Sequence, residues 1–327
     1  MAMAEFDLVV TGTVVTADRI IENGYVAVRD GIVEAVGQGA PPAAAERHDF
    51  GASYLMPGAI DSQVHSRSQK DQDDFIWSTR SAAAGGVTTI VDMPFDAGFL
   101  VCNGERITQK AKEAAAQARV DFALYGTIAP REGAREITGM VAADACGFKF
   151  STFNTDPERF PRIPPQMLYA CFSAIAHHDL AAGIHNENDE MVRAAIADVE
   201  ASGITDYRAQ SLSRPAVAET LAMAEVYELG AQSGCSTHGV HCSVGRGYDL
   251  CDAYRQQGFD ATVEACIHYL VLDEEKDVRR LIGRAKINPP IRARREVESL
   301  WRHLAGGRVT VVSTDHVACQ KTARVIR

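Results

Sequence analysis

A chain in which apolar, strand-like runs alternate with Ala-rich amphipathic stretches predicts an α/β fold built on a parallel sheet. Two further observations sharpen this. Eight such runs follow one another, the number that closes a (β/α)8 TIM-like barrel. No GxGxxG follows an early strand, which weakens an open dinucleotide-binding sheet. The barrel is the expected fold.

The first fifty residues use a different grammar of short strands and turns. Phe6-Asp-Leu-Val-Val and Tyr25-Val-Ala-Val are apolar, and Arg29-Asp-Gly and Gly37-Gln-Gly are turn signals. An Ala/Pro-rich stretch at 39–45 reads as a loop. Residues 1–52 are therefore expected to form part of a small β-sandwich domain, and residues 53–327 the barrel. Barrel strands are expected at 55–65, 87–93, 121–128, 147–152, 181–186, 236–242, 261–270 and 309–315. Helices are expected at 105–118, 165–176, 215–231 and 294–304 between them.

Composition excludes several function classes. The 327 residues are 46% hydrophobic, enough for a large buried core, and carry a net charge of -10. That charge argues against a nucleic-acid or anionic-membrane surface. No apolar run reaches the roughly 18–20 residues that span a bilayer, and the N-terminus lacks a signal peptide's pattern. Eight cysteines occur without a CxxC pair, which suits reduced thiols in a cytoplasm.

In a barrel of this kind, chemistry gathers at the C-terminal ends of the strands. Strand one ends in Asp61, Gln63 and His65, which share a face because side chains alternate. Strand four offers Lys149, strand five His185, and strand six His238 or His241. Strand seven offers Glu264 and His268, and strand eight Asp315. Imidazoles and carboxylates are the usual ligands of Zn²⁺ and similar ions. One histidine at a strand end is more often a hydrogen-bonded neighbour than a ligand, but several in register point to a metal centre. Lys149, between Phe148 and Phe150, must be neutral, paired or modified if it points inward. It could equally reach solvent along its stem.

Several stretches together resemble the cyclic amidohydrolases: dihydroorotases, hydantoinases, dihydropyrimidinases and allantoinases. They are Met56-Pro-Gly-Ala-Ile-Asp-Ser-Gln-Val-His, Ala82-Ala-Ala-Gly-Gly-Val-Thr-Thr-Ile-Val-Asp-Met-Pro, Gly147-Phe-Lys, Ser213-Arg-Pro, Glu264-Ala-Cys-Ile-His, Lys286-Ile-Asn-Pro-Pro and Ser313-Thr-Asp-His. The resemblance implies metal-dependent hydrolysis of a cyclic amide. It implies a two-metal centre, most simply two Zn, on His65, a carboxylated Lys149, His185, His241 and Asp315, with Asp315 as the acid/base. Strand alternation would separate His241 from His238, three residues earlier. Asn288 matches a substrate-contacting position. Homo-oligomers, dimers or tetramers, are also implied.

Three departures matter. Gln63 stands where the family has the first histidine of an HxH pair, so one metal site is expected to be weak. Arg67 matches a carboxylate-binding arginine of dihydroorotases, but the partner asparagine is replaced by Phe95. That tilts the substrate towards a neutral hydantoin, allantoin or dihydropyrimidine ring, although Asn154 stands where hydantoinases place a tyrosine. The chain also stops soon after Asp315, as if truncated, which predicts a barrel lacking its last helix and a small domain left incomplete. Dihydroorotase activity and a catalytically impaired homologue are the alternatives, and a Schiff-base aldolase using Lys149 is a third.

Overall fold

The computed structural model describes residues 5–68 and 74–317 and divides the chain into two compact units, Met1–Ala59 and Ile60–Arg327. The first unit is one four-stranded sheet of β1 (Phe6–Val15), β2 (Ile20–Arg29), β3 (Ile32–Gln38) and β4 (Ala44–Leu55). Its order is β3-β2-β1-β4, with β1 antiparallel to β2 and parallel to β4. The Arg29-Asp-Gly signal makes the β2–β3 hairpin. Asp30 and Gly31 take φ of 52° and 77°, the paired positive values that let a two-residue turn follow strand twist.

Each of the four strands has at least one partner within this sheet, β3 on β2 and β4 on β1 at its edges. β4 went unread because most of its residues are exposed, so no apolar periodicity marks it. The expected strand at 55–65 breaks at Met56-Pro57-Gly58, where proline cannot donate to a ladder, and β5 begins only at Ala59. The sheet's core is small, with Phe6, Val9 and Ala27 buried and Ile32, Val33 and Phe50 exposed.

The second unit holds the predicted barrel. Its strands are β5 (Ala59–His65), β6 (Val87–Asp92), β9 (Asp121–Gly126), β10 (Gly147–Ser151), β11 (Ala181–His185), β12 (Ser236–Gly239), β13 (Ala261–Cys266), β14 (Val311–Ser313) and β15 (His316–Val317). A small hairpin, β7 (Phe95–Asp96) and β8 (Phe99–Leu100), interrupts the series after β6. The sheet runs β14-β13-β12-β11-β10-β9-β6-β5-β15. β14 and β15 are two halves of one run, so pairing of β14 with β13 and of β15 with β5 closes the ring. Asp315 sits at the break between them with φ of 50°, in left-handed backbone that aspartate tolerates better than most residues.

Asp61 seals the same closure. Its carboxylate accepts from the Thr314 amide at 3.2 Å and from the Thr314 hydroxyl. Strand β10 is buried throughout, as expected for a parallel strand covered on both faces. Phe148 and Phe150 belong to the core under the helix Pro165–Ile175, where Phe150 meets Phe172 at 6.2 Å. Alternation then turns Lys149 the other way. No helix of the described residues is long and apolar enough to cross a membrane. The tail after Val317, on which the expected missing helix falls, lies outside the described residues.

Candidate active site

A cavity of about 150 Å³ opens at the strand ends, lined by Gln63, His65, Ser68, Lys149, Thr155, Arg159, Phe160, His185, His241, Asn288, Asp315 and Val317. On the β5 side, alternation puts Gln63 and His65 on one face. Gln63 Nε2 donates to Asp315 Oδ1 at 2.9 Å, and His65 Nε2 lies 3.4 Å from the same oxygen. Burial alone would raise the Asp315 pKa, but His65, with His241 and Lys149, holds it well below the usual carboxylate range. Asp315 is therefore an anion at neutral pH. Asp61, expected beside them, is engaged by Thr314 instead.

The second group comes from β11 and the turn after β12. His185 Nδ1 meets His241 Nε2 at 2.9 Å, and its Nε2 meets Glu187 Oε2 at 2.8 Å. Arg214 closes an ion pair on Glu187 from the far side. Burial would raise the Glu187 carboxyl, but His185 and Arg214 together hold it below its ordinary value. A carboxylate on one ring nitrogen fixes the tautomer and direction of the other, the usual support for a ligating histidine. His241 reaches the cavity by a different route from the expected alternation. It lies beyond β12, in a turn where its φ is 40°, while His238 turns to Thr262 at 2.8 Å. Burial, then His185 and Lys149, depress the His241 pKa well below its ordinary value, so the ring is neutral.

Beneath these pairs, Glu264 accepts from the His241 amide at 2.9 Å and the Ser62 hydroxyl at 3.0 Å. It braces the backbone and does not line the cavity. Lys149 is fully buried, and among the described residues no hydrogen bond reaches its ammonium. Burial pulls its pKa down to about 8, against the opposing pull of Asp315 and Glu264.

The donors suit a divalent cation in type: three imidazoles, one carboxylate and one amide oxygen. Two buried atoms in this set, Gln63 Oε1 and His241 Nδ1, have no hydrogen-bond partner. Such orphans are costly unless a ligand satisfies them. Among the described residues, however, no three His, Cys, Asp or Glu side chains stand close enough to enclose one ion. They stand as two pairs, His65–Asp315 and His185–His241, and Lys149 as an ammonium supplies positive charge beside both. The donor types and the two orphaned atoms fit a cation, while the spacing of the two pairs does not enclose one as they stand.

Arg67 is corrected. Its guanidinium turns from the cavity to Glu113, 2.5 Å away, with Asp74 at 3.4 Å and Asp96 at 3.6 Å. Three carboxylates hold it there, whereas the one carboxylate of the cavity, Asp315, is already engaged by Gln63 and His65. Asn288 does line the cavity, its side-chain oxygen accepting from Gln210 at 2.6 Å. Asn154 borders a larger neighbouring cavity, which shares Thr155 and Asn288 with this one. Sequence reading missed Arg159 and Phe160, which lie in the 153–160 loop after β10 and carry no periodic signal. It also missed Glu187 as His185's partner, although the His185-Asn-Glu187 spacing could have shown it.

Over 321 residues the chain is 38% identical to an allantoinase of Rubrobacter xylanophilus, covering 97% of this chain and 70% of that relative. It is 33% identical to an allantoinase of Solibacter usitatus, covering 93% of this chain and 66% of that relative. The chain thus spans about two thirds of the length of these relatives. Among solved structures, the L-hydantoinase (dihydropyrimidinase) from Arthrobacter aurescens matches with a TM-score of 0.91 at 30% identity, over 95% of this chain and 69% of that one. No family model matches the chain. Shared fold and identity along nearly all its residues place this chain in the cyclic amidohydrolase family of allantoinases and hydantoinases.

Proposed function

We propose that this chain hydrolyses the C–N bond of a ring amide of the hydantoin, allantoin or dihydropyrimidine class. The observation that carries the reading is a buried anion, Asp315, held beside three histidines and a buried lysine with no hydrogen-bond partner among the described residues, at the strand ends of a family barrel. Asp315 accepts a proton from the attacking water and returns it to the leaving ring nitrogen. The carbonyl carbon keeps the hydroxyl, and the products are a carboxylate and an open-chain amide nitrogen. Gln63 and His65 orient the Asp315 carboxylate by holding one oxygen, and Glu187 with Arg214 orients His185.

His65, His185, His241 and Asp315, with Gln63 as a weaker oxygen donor, are the residues that would hold divalent metal. Such a metal, when bound, lowers the pKa of water and polarises the carbonyl. Reaction of the Lys149 amine with CO2 to a carbamate would replace the positive charge between the pairs with an anionic oxygen donor. A pKa near 8 leaves part of the lysine as the free amine that this reaction needs. The identity of the metal as zinc, a count of two, homo-oligomer formation and a cytoplasmic site belong to the same proposal.

Dihydroorotase activity is the less supported alternative, because Arg67 is tied to Glu113 outside the cavity. The test is elemental analysis of purified protein together with hydrolysis of hydantoin, allantoin, dihydrouracil and dihydroorotate. Turnover of the first three with bound metal is expected. No bound metal and no turnover would refute the reading.

A further inference from the structure

We propose that Arg159 reads a hydrogen-bond acceptor, a carboxylate or a ureido carbonyl, on the substituent of the ring. This rests on the cyclic-amide reading above and names the substrate class within it. Three observations carry it.

The first is position. Arg159 lines both the 150 Å³ cavity at the strand ends and a neighbouring polar cavity of about 500 Å³. Pockets for whole small molecules usually measure about 300–1,000 Å³. The inner cavity therefore has room for a ring but not for its substituent, and the outer cavity takes the substituent. Among the described residues, Ser68 and Arg159 border both, while Thr155 and Asn288 border the inner cavity and the larger one beside Asn154.

The second is unspent hydrogen-bonding capacity. Arg159 Nη1 donates to the Ser68 carbonyl at 2.9 Å and to the Phe95 carbonyl at 3.4 Å. A guanidinium carries five N–H donors. Among the described residues no carboxylate lies within ion-pair distance of this one. Of the acids lining the outer cavity, Asp96 pairs with Lys110, Asp156 accepts from the Glu158 and Arg159 amides at 2.9 and 3.0 Å, and Glu158 forms no ion pair with the Arg159 guanidinium. Arg67 shows what the alternative looks like, since its charge is spent on three carboxylates.

The third is rigidity. Asp156 and Phe160 bridge across the loop, with the Phe160 amide donating to the Asp156 carbonyl at 2.8 Å. Phe160 packs on Phe95 at 3.9 Å and edge-on to His185 at 5.5 Å. The guanidinium is thus held by loops following β5 and β6 as well as its own. A fork so positioned loses little freedom on binding a planar acceptor.

The experiment compares three 5-substituted hydantoins on wild type, Arg159→Gln and Arg159→Lys. Allantoin carries a ureido carbonyl, hydantoin-5-acetic acid a carboxylate, and 5-isobutylhydantoin no acceptor. In Arg159→Gln, kcat/KM is expected to fall about 10- to 100-fold for at least one acceptor-bearing ring, chiefly through KM. This corresponds to about 1.4–2.8 kcal/mol. The isobutyl ring should stay within about twofold. Arg159→Lys keeps the charge without the fork, so it should rescue the carboxylate ring more than the ureido ring. Equal losses on all three rings would reduce Arg159 to a loop fastener and overturn the proposal, as would no loss on either acceptor-bearing ring.

Absence of turnover with every ring in wild type would refute the hydrolase reading instead. Calorimetric binding of the same three rings then decides the inference. Wild-type preference for an acceptor-bearing ring, lost in Arg159→Gln, supports it, and indifferent binding overturns it. If Arg159→Gln does not fold, the ratio between rings in Arg159→Lys carries the comparison.

Discussion

Two lysines are almost completely buried in this barrel, and their surroundings are opposite. Lys110, on the helix Gly104–Gln117, meets Asp92 and Asp96 at 2.6 Å each and the Met93 carbonyl at 2.7 Å. Burial pulls its pKa down, but the two carboxylates outweigh it and hold the ammonium charged. Lys149 is equally buried with no such partners, and burial wins. Between them lies the difference between a lysine whose charge two carboxylates hold and one whose charge burial opposes. The first also reaches the site indirectly, because Asp92 Oδ2 accepts the amide of Ser66, directly after His65.

The largest expected effect tests the partnered lysine. Lys110→Met leaves two carboxylates buried without their cation and should lower unfolding stability by about 3–5 kcal/mol in urea titration. A loss below about 1 kcal/mol would show that the network is dispensable. Lys149→Met should act in the opposite sense. It should abolish hydrolysis yet raise stability at pH 7 by about 2–3 kcal/mol, because a charge that burial disfavours is gone. An unchanged or lower stability would mean the native lysine is already neutralised or modified.

The pH dependence separates those cases. Lys149 has a folded pKa of about 8, below its ordinary 10.5. Between those values the unfolded chain binds the proton that the folded chain has lost, so wild-type stability should rise with pH across that window. Below about pH 8 both states are protonated and the penalty is complete. The slope should vanish in Lys149→Met. It should also vanish in wild type prepared with bicarbonate and metal, if the amine has become a carbamate.

Smaller effects probe the metal donors and the excluded arginine. Gln63→His replaces an amide with an imidazole and should tighten zinc binding about tenfold in equilibrium dialysis. Unchanged affinity would remove Gln63 from the donor set. Arg67→Gln should alter kcat/KM by less than about twofold, because its partially exposed ion pairs with Asp74 and Glu113 lie outside the cavity. A selective loss on carboxylate-bearing rings would restore the role that its sequence position implied.

The barrel was legible because its parallel strands read as apolar runs between amphipathic helices, with β10, β11 and β13 buried nearly throughout. β10 is the clear case of such a strand, although the sequence left open whether Lys149 points inward, which the packing of Phe148 and Phe150 under the helix decides. β4 was not legible, since an exposed strand has no reason to be apolar. Most of the candidate donors were legible for a related reason: His65, Lys149 and His185 lie at the ends of strands whose period is two. His241 lies past its strand, and its direction depends on a turn that periodicity does not describe.

By itself, the sequence determined the alternating barrel, the Asp30-Gly31 hairpin turn and the residue types at the strand ends, all of which follow from local pattern and backbone sterics. Tertiary structure alone decided which charges are spent. It tied Arg67 to Glu113, Asp61 to Thr314 and Lys110 to Asp92 and Asp96, and left Lys149 and Arg159 beside the cavity. Partner choice is a matter of distance between loops far apart in the chain, where electrostatics and desolvation decide what no local window contains.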